Sequence, residues 1–197
     1  MATKRIAVLG GPRCGKTTLI QHLYVEMKIA GLNVGYALEY STDYLKDKGM
    51  IETISEQYGI YLGQKRIEDE LSTFDYALTD YATFVPYIYG RFMLGNKERS
   101  KKEIQILKDL YCLAIEDIQN YDTIIYVPRE FGYVQDGVRW QDEEIALKID
   151  EAILSFLKAE NVNFIEVKGS TKERAKQILE LLDIKYQDTP QLDGEEK

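Results

Sequence analysis

The stretch of sequence that decides the fold lies close to the start of the chain. It reads Ile6-Ala7-Val8-Leu9-Gly10-Gly11-Pro12-Arg13-Cys14-Gly15-Lys16-Thr17-Thr18. The short apolar run that stops at two glycines is typical of a buried parallel strand. The residues after it fit the pattern G-x-x-x-x-G-K-[ST], in which glycines let successive backbone N–H groups turn toward phosphate oxygens. We therefore expect Gly10 through Thr18 to cradle the phosphates of a nucleoside triphosphate.

The sequence around this phosphate loop supports the same prediction. Apolar residues at helical spacing predict a helix over residues 16–30, and the positive end of a helix stabilises bound phosphate. Lys16 can reach the outer phosphates, and the Thr17 hydroxyl can ligate Mg²⁺. A glycine turn that matches the pattern by chance is the alternative, but it does not explain the strand before the loop and the helix after it.

Further strands alternate with helical patterns along the chain. Strands are predicted at residues 6–9, 34–38, 74–79, 123–127 and 164–167. This alternation predicts an α/β fold of the P-loop NTPase type, with a five-stranded parallel sheet in the order 2-3-1-4-5 and helices on both faces. Residues 41–71 read as helical with breaks near Gly49, Gly59 and Gly63. We expect one domain over residues 1–186 and a flexible acidic tail over 187–197.

Composition and charge exclude several classes of protein. The chain of 197 residues has a formal net charge of −8 and no basic run longer than Lys101-Lys102, which argues against a nucleic-acid partner. Cys14 and Cys112 match neither a zinc spacing nor a disulfide framework. The sequence has no apolar run long enough for a membrane span. A cytoplasmic location is the expectation, and the sequence leaves open whether the chain forms a homodimer.

Two carboxylates directly follow predicted strands. Because ligands bind beyond the carboxyl ends of parallel strands, Glu39 and Asp80 are candidate site residues. Asp80 can hold Mg²⁺, although it could instead cap the helical segment that begins at Tyr81. Glu39 can take a proton from an acceptor hydroxyl, although a solvated turn or an ion pair with an arginine is the alternative.

Four arginines are candidates for binding phosphate or an acceptor. Arg129 and Arg139 bracket a polar stretch with glycine hinges, which can close over the triphosphate and neutralise charge in the transition state. An ordinary surface loop is the alternative interpretation. Arg66 and Arg91 can clamp an acceptor, although each by itself is more often a surface residue.

About residues 4–183 resemble the small P-loop kinase family that contains the ribosylnicotinamide kinase domain of bacterial NAD-salvage proteins. The matching features, in chain order, are the phosphate loop, Glu39-Tyr40, Leu62-Gly63-Gln64-Lys65-Arg66, Thr79-Asp80, Asp122-Thr123-Ile124-Ile125-Tyr126-Val127 and Asp136-Gly137-Val138-Arg139. The resemblance implies ATP and Mg²⁺ as co-substrates, a nucleoside-like acceptor, and a place for Arg139 in a closing lid. Residues 81–99 depart from the family in being rich in tyrosine, which leaves the acceptor open.

The predicted function is therefore an ATP- and Mg²⁺-dependent kinase. Its acceptor is a nucleoside or nucleotide, such as a deoxynucleoside, its monophosphate or ribosylnicotinamide. A hydroxyl acceptor needs a base, for which Glu39 and Asp80 are both candidates; a monophosphate needs cationic clamps. The residues expected to bind the acceptor are Glu39, Tyr40, Arg66, Asp80 and Arg91. The alternative class is a P-loop switch or ATPase without an acceptor, but residues 96–99 read Asn-Lys-Glu-Arg and lack the Asp with which a GTPase reads guanine.

Overall fold

The computed structural model describes residues 2–95, 100–130 and 143–186. Five strands and seven α-helices alternate within these ranges. The strands are β1 Lys4–Leu9, β2 Val34–Ala37, β3 Tyr76–Thr79, β4 Thr123–Tyr126 and β5 Ile165–Glu166. The helices are α1 Lys16–Ile29, α2 Tyr40–Lys48, α3 Ile54–Asp69, α4 Val85–Leu94, α5 Lys101–Ile118, α6 Glu143–Ala159 and α7 Thr171–Leu181, and a 3₁₀ turn Glu70–Thr73 follows α3.

All the strands lie parallel in one sheet, in the order β2-β3-β1-β4-β5. The predicted fold class and strand order are therefore confirmed. In the centre of the sheet, Ile6 of β1 is paired with Leu78 of β3 on one side and with Thr123 of β4 on the other. Because the strands are parallel, the segments that follow β1, β2 and β3 all emerge at the same edge of the sheet.

The central strand β1 is buried on both of its faces from Ile6 to Leu9, as its apolar character predicts. Ile6 and Val8 pack into one hydrophobic cluster with residues of α1 and α7. Ala7 and Leu9 point the opposite way, into a second cluster with residues of α3, α4, α5 and α6. Helices that span a membrane are not found among the residues that the structure describes.

The helical segment after β2 differs in part from the prediction. A break at Gly49 is present, since α2 ends at Lys48, and α3 then begins with a capping box formed by Thr53 and Glu56. The predicted breaks at Gly59 and Gly63 are wrong, because α3 continues through both. Capping and tertiary packing override the low helix propensity of glycine here. The predicted tail at residues 187–197 lies outside the described residues.

Candidate active site

The phosphate loop connects β1 to α1 and has a backbone that only glycine adopts readily. Gly10 and Gly15 have φ angles of +150° and +89°. A Cβ atom on Gly10 would lie 2.4 Å from the Val127 carbonyl oxygen, so a larger residue would push the loop away from the end of β4. The loop therefore needs these glycines both for its turn and for its close approach to the sheet.

The Lys16 side chain lies across the loop. Its Nζ atom donates a hydrogen bond of 2.9 Å to the Gly11 carbonyl oxygen, and the residue is buried. The ammonium group is thus held over the backbone amides that the sequence predicts to bind phosphate. A buried positive charge at this place suits the outer phosphates of a nucleotide.

The half-buried Thr17 and the buried Asp80 form a hydrogen-bonded oxygen pair beside Lys16. Thr17 Oγ1 donates a 2.5 Å hydrogen bond to Asp80 Oδ2. Asp80 is 1% exposed, and its Oδ1 atom has no well-formed hydrogen bond from the described residues. Burial raises the pKa of Asp80, while the Thr17 hydrogen bond, the Lys16 charge and the Glu39 backbone oppose that shift. A carboxylate oxygen free to accept and a neighbouring hydroxyl are ligands that suit Mg²⁺.

Asp80 has no capping role for the helix that follows it. The helix α4 begins at Val85, and the residue at its N-cap position is Phe84. Pro86 stands in the first turn, where its missing N–H costs no helical hydrogen bond. The alternative interpretation of Asp80 as a helix cap is therefore wrong.

Glu39 lies between the phosphate loop and a second cavity. It lines a small cavity next to the loop together with Gly10, Lys16 and Asp80. Its carboxylate accepts a hydrogen bond from Ser41 Oγ, which fixes the side chain at the start of α2. The sequence prediction that Glu39 and Asp80 meet at this edge of the sheet agrees with their placement.

The second cavity lies between α2, α3 and α4 and has a volume of about 30 Å³. Its lining is mostly apolar and aromatic, and it consists of Glu39, Ser41, Thr42, Leu45, Ile51, Gln57, Ile60, Tyr81, Tyr89, Phe92, Met93 and Ile149. Three of these residues, Glu39, Tyr81 and Tyr89, also line the cavity beside the phosphate loop. The two cavities are therefore neighbours with a common wall. Because the sequence predicts an acceptor molecule beside the phosphate loop, we call the second one the acceptor cavity.

Gln57 is the most unusual residue of the acceptor cavity. It is 2% exposed, and its Oε1 atom accepts no hydrogen bond from the described residues. Among the described residues, its Nε2 atom has a hydrogen bond only to the Met93 sulfur at 3.4 Å, which is a weak acceptor. A buried amide in this state is costly unless a ligand completes its hydrogen bonds.

The predicted arginines are placed differently from one another. Arg129 reaches the phosphate loop, where its Nη2 atom donates a 2.5 Å hydrogen bond to the Pro12 carbonyl oxygen. Arg139 lies outside the described residues. Arg66 is exposed on α3, and Arg91 lines another cavity of about 680 Å³ between α4, α5 and α6, which has Phe92 in common with the acceptor cavity.

The helical period explains why two of these arginines are not brought to the loop. Gln64 of α3 points into the protein, and Arg66, two residues later, projects from the opposite side of the helix. Tyr89 of α4 lines the acceptor cavity, and Arg91 points away from it for the same reason. Tyr40, another predicted acceptor residue, packs its ring against Gly63 of α3, and it is not part of the acceptor-cavity lining.

Two charged residues whose roles no sequence pattern predicts support the phosphate loop. Asp150 of α6 accepts a 2.5 Å hydrogen bond from the Gly11 backbone N–H and a 2.9 Å hydrogen bond from the Tyr126 hydroxyl. Arg174 of α7 is 1% exposed and donates to the Cys14 carbonyl oxygen at 2.9 Å, over a separation of 160 residues. Such contacts depend on the packing of distant helices, and no local pattern predicts them.

A phosphate loop between the central strand and the first helix of a 2-3-1-4-5 parallel sheet defines a P-loop nucleotide-binding domain. A family profile described as an AAA domain matches residues 5–174, and the chain belongs to that family. No curated protein sequence is significantly similar to this chain.

Several solved structures share the fold. A NadR protein in complex with NR superposes with a TM-score of 0.71 at 17% sequence identity, over 94% of this chain and 53% of that chain. Deoxyadenosine kinase from M. mycoides gives a TM-score of 0.63 at 15% identity, over 91% of this chain and 98% of that one. Thymidylate kinase from Ehrlichia chaffeensis gives 0.60 at 16% identity, over 92% and 100%. This chain thus spans about half the length of the NadR chain.

Proposed function

We propose that this protein is an ATP- and Mg²⁺-dependent kinase that phosphorylates a nucleoside-like acceptor. The observation that carries the proposal is the common wall of Glu39, Tyr81 and Tyr89 between the phosphate loop and the acceptor cavity. An enzyme that moves a phosphoryl group between two bound molecules needs adjoining sites of this kind. An enzyme that transfers it to water needs no second cavity with aromatic walls.

The triphosphate side of the site has the groups that phosphoryl transfer requires. Thr17 and Asp80 would hold Mg²⁺, which neutralises charge on the transferring phosphate. Lys16 would contact the outer phosphates, and Arg129 adds a second positive charge at the loop. Arg139 stays a predicted lid residue. Positioning and electrostatic stabilisation supply most of the rate enhancement in such reactions.

The acceptor side favours a neutral molecule with a free hydroxyl over a monophosphate. Within the described residues, the cavity lining includes neither lysine nor arginine, and it does include the Glu39 carboxylate. A second phosphate would be repelled there, whereas a hydroxyl would find a base. Glu39 therefore serves as the general base, and the sequence alternative in which Arg66 and Arg91 clamp a phosphate loses its support.

The lining also supports a planar heterocycle as part of the acceptor. Tyr81, Tyr89 and Phe92 offer aromatic faces and edges, and Gln57 offers an amide that can pair with the edge of a base. A cavity of about 30 Å³ is too small for a nucleoside, so the proposal requires the cavity to widen when the acceptor binds. The structures of similar fold contain NR in NadR and the products dCMP and dCDP in deoxyadenosine kinase, which agrees with a ligand that carries a heterocycle.

The second candidate function is an ATPase that acts without a small acceptor. The description of the matched family as an AAA domain favours it. A motor ATPase ordinarily carries Asp-Glu at the end of the strand that holds the metal carboxylate, and Tyr81 follows Asp80 here.

A panel of acceptors separates the two candidates. The protein is incubated with ATP, Mg²⁺ and single nucleosides, deoxynucleosides, their monophosphates or ribosylnicotinamide, and product masses are followed. The kinase proposal expects ADP to form only with a matching acceptor, together with a product heavier by one phosphoryl group. ADP and inorganic phosphate formed at the same rate with no acceptor would favour the ATPase.

A further inference from the structure

We propose that Gly63 and Gln64 of α3 are positioning residues that fix the spacing of Glu39 and Asp80. The proposal rests on the proposed function, in which these two carboxylates serve the acceptor and the metal. Neither Gly63 nor Gln64 lines the acceptor cavity or the cavity beside the phosphate loop. Their role therefore has to be exerted through the backbone that carries the carboxylates.

The sheet alone does not set the distance between the two carboxylates. The last paired residues of β2 and β3 are Ala37 and Thr79. Glu39 and Asp80 lie beyond that pair, where the strands have turned into the connections to α2 and α4. Another set of contacts must hold these two segments in register, since unpaired backbone groups in the interior are costly.

Gln64 supplies those contacts. Its side chain is 0% exposed, and its Oε1 atom accepts a 2.9 Å hydrogen bond from the Tyr40 backbone N–H. Its Nε2 atom donates a 2.7 Å hydrogen bond to the Tyr81 carbonyl oxygen. Tyr40 is the residue after Glu39, and Tyr81 is the residue after Asp80. One amide thus bridges the two segments in the way that a further peptide unit of the sheet would.

Gly63 holds the same segment through the ring of Tyr40, whereas Gln64 holds its backbone. A Cβ atom on Gly63 would lie 2.0 Å from the Tyr40 ring, well inside any permitted contact. The absence of a side chain lets the ring lie directly on α3, while the neighbouring Gln64 holds the Tyr40 backbone. Glycine is a poor helix former, and this packing explains why one stands inside α3.

Hydrogen bonds through Glu68 and Tyr121 hold the segment after Asp80. Gln64 Nε2 also donates to Glu68 Oε1 at 2.8 Å, and the Tyr121 hydroxyl donates to Glu68 Oε2 at 2.8 Å. That hydroxyl in turn accepts a 2.8 Å hydrogen bond from the Thr83 backbone N–H. Both Tyr81 and Thr83 are therefore tied to α3, and Asp80 is anchored next to them.

The test compares two glycines of the same helix. Gly59 lies one turn before Gly63, and a Cβ atom there would meet nothing within 4 Å. Gly59→Ala should therefore leave turnover and the backbone around Glu39 unchanged. Gly63→Ala should displace Tyr40, lower kcat by roughly tenfold to a hundredfold and leave the KM for ATP within about twofold, because small misplacements of reacting groups cost rate.

A readout that does not depend on turnover accompanies the kinetics. Hydrogen exchange of the Tyr40 and Thr83 amides should become faster in Gly63→Ala and stay as in the wild type in Gly59→Ala. If Gly63→Ala does not fold, Gln64→Met provides the same readouts, because it removes the amide without adding an atom against the Tyr40 ring. Wild-type exchange at both amides together with wild-type kcat in these variants would overturn the proposal.

Failure of the proposed kinase function would give different results from failure of the positioning role. If the wild-type protein transfers phosphate to no acceptor, the kinase assignment fails, and the exchange of the Tyr40 amide still decides whether α3 fixes this segment. Lower thermal stability with unchanged exchange and unchanged kcat would assign Gly63 and Gln64 to fold stability alone and would also overturn the positioning role.

Discussion

Thr17 Oγ1 and Asp80 Oδ2 are joined by a 2.5 Å hydrogen bond between residues that lie 63 positions apart in the chain. The pairing of β1 with β3 brings them together, because the phosphate loop leaves the end of one strand and Asp80 the end of its neighbour. The same pairing places Asp80 beside Lys16.

Asp80→Asn should weaken the binding of Mg²⁺ and lower the rate. The amide keeps the shape of the side chain and can still accept a hydrogen bond from Thr17, but it removes the negative charge that binds the metal. We expect the Mg²⁺ concentration for half-maximal rate to rise about tenfold or more, and kcat to fall on the order of 10² to 10³. Rates measured against Mg²⁺ at fixed ATP check this, and an unchanged Mg²⁺ dependence would remove Asp80 from the metal site.

Glu39→Gln should slow the chemical step without weakening ATP binding. Glu39 lines both the cavity beside the phosphate loop and the acceptor cavity, and the amide cannot take a proton from a hydroxyl. Loss of a general base lowers kcat by roughly 10² to 10⁴. Steady-state kinetics with the identified acceptor provide the measurement. A higher acceptor KM with normal kcat would mean that the acceptor is already a phosphate.

Gln57→Leu should stabilise the free protein and impair use of the acceptor. The Gln57 amide is buried with an Oε1 atom that no described residue satisfies, so an apolar side chain of similar size is expected to raise the free energy of unfolding by about 1 kcal/mol or more. The same change should lower kcat/KM for the acceptor roughly tenfold to a hundredfold, since the heterocycle of the acceptor loses the amide with which it pairs.

Thermal unfolding and acceptor kinetics measure both effects of Gln57→Leu. Gln105→Leu, on the exposed side of α5, is the control and should change neither the unfolding temperature nor the acceptor kinetics much. Loss of stability in Gln57→Leu with normal acceptor kinetics would mean that Gln57 is a structural residue.

Glu68→Gln should change how stability depends on pH. Burial raises the pKa of Glu68 to about 7, despite hydrogen bonds from Gln64 and Tyr121. The folded protein then binds more protons than the unfolded chain between about pH 4.5 and pH 7, so the Glu68 contribution to stability falls as pH rises through that window. The total loss is about 3 kcal/mol by linkage. Glu68→Gln removes this loss, which denaturant titrations from pH 5 to pH 8 would show; parallel pH profiles for both proteins would contradict it.

Local patterns predict the residues whose role depends on the backbone near them. The phosphate loop, with Lys16 and Thr17, follows from a strand, two glycines and a helix read in order. Glu39 and Asp80 follow from the rule that the carboxyl ends of parallel strands meet at one edge. In each case the neighbouring sequence determines both the element and the direction in which the chain leaves it.

Tertiary packing determines the residues that the sequence does not predict. Gln57 looks like any polar residue of a helix until its burial beside Met93 and Phe92 is known. Arg66 and Arg91 look like phosphate ligands, but a difference of two positions on a helix turns them away from the loop. Gly63 reads as a helix break, yet it is the contact surface for the Tyr40 ring.

Transfer of the γ-phosphoryl group itself tests the kinase assignment most directly. ATP labelled at the γ-phosphate is incubated with Mg²⁺ and the acceptor panel, and the label is followed in the acceptor and in inorganic phosphate, for the wild type and for Lys16→Ala. Lys16 Nζ lies over the phosphate loop, so its removal should slow transfer on the order of 10² to 10⁴ while the fold persists. The account predicts label in a nucleoside-like acceptor with the wild type and almost none with Lys16→Ala. Label that appears only in inorganic phosphate, at a rate independent of any acceptor, would contradict it.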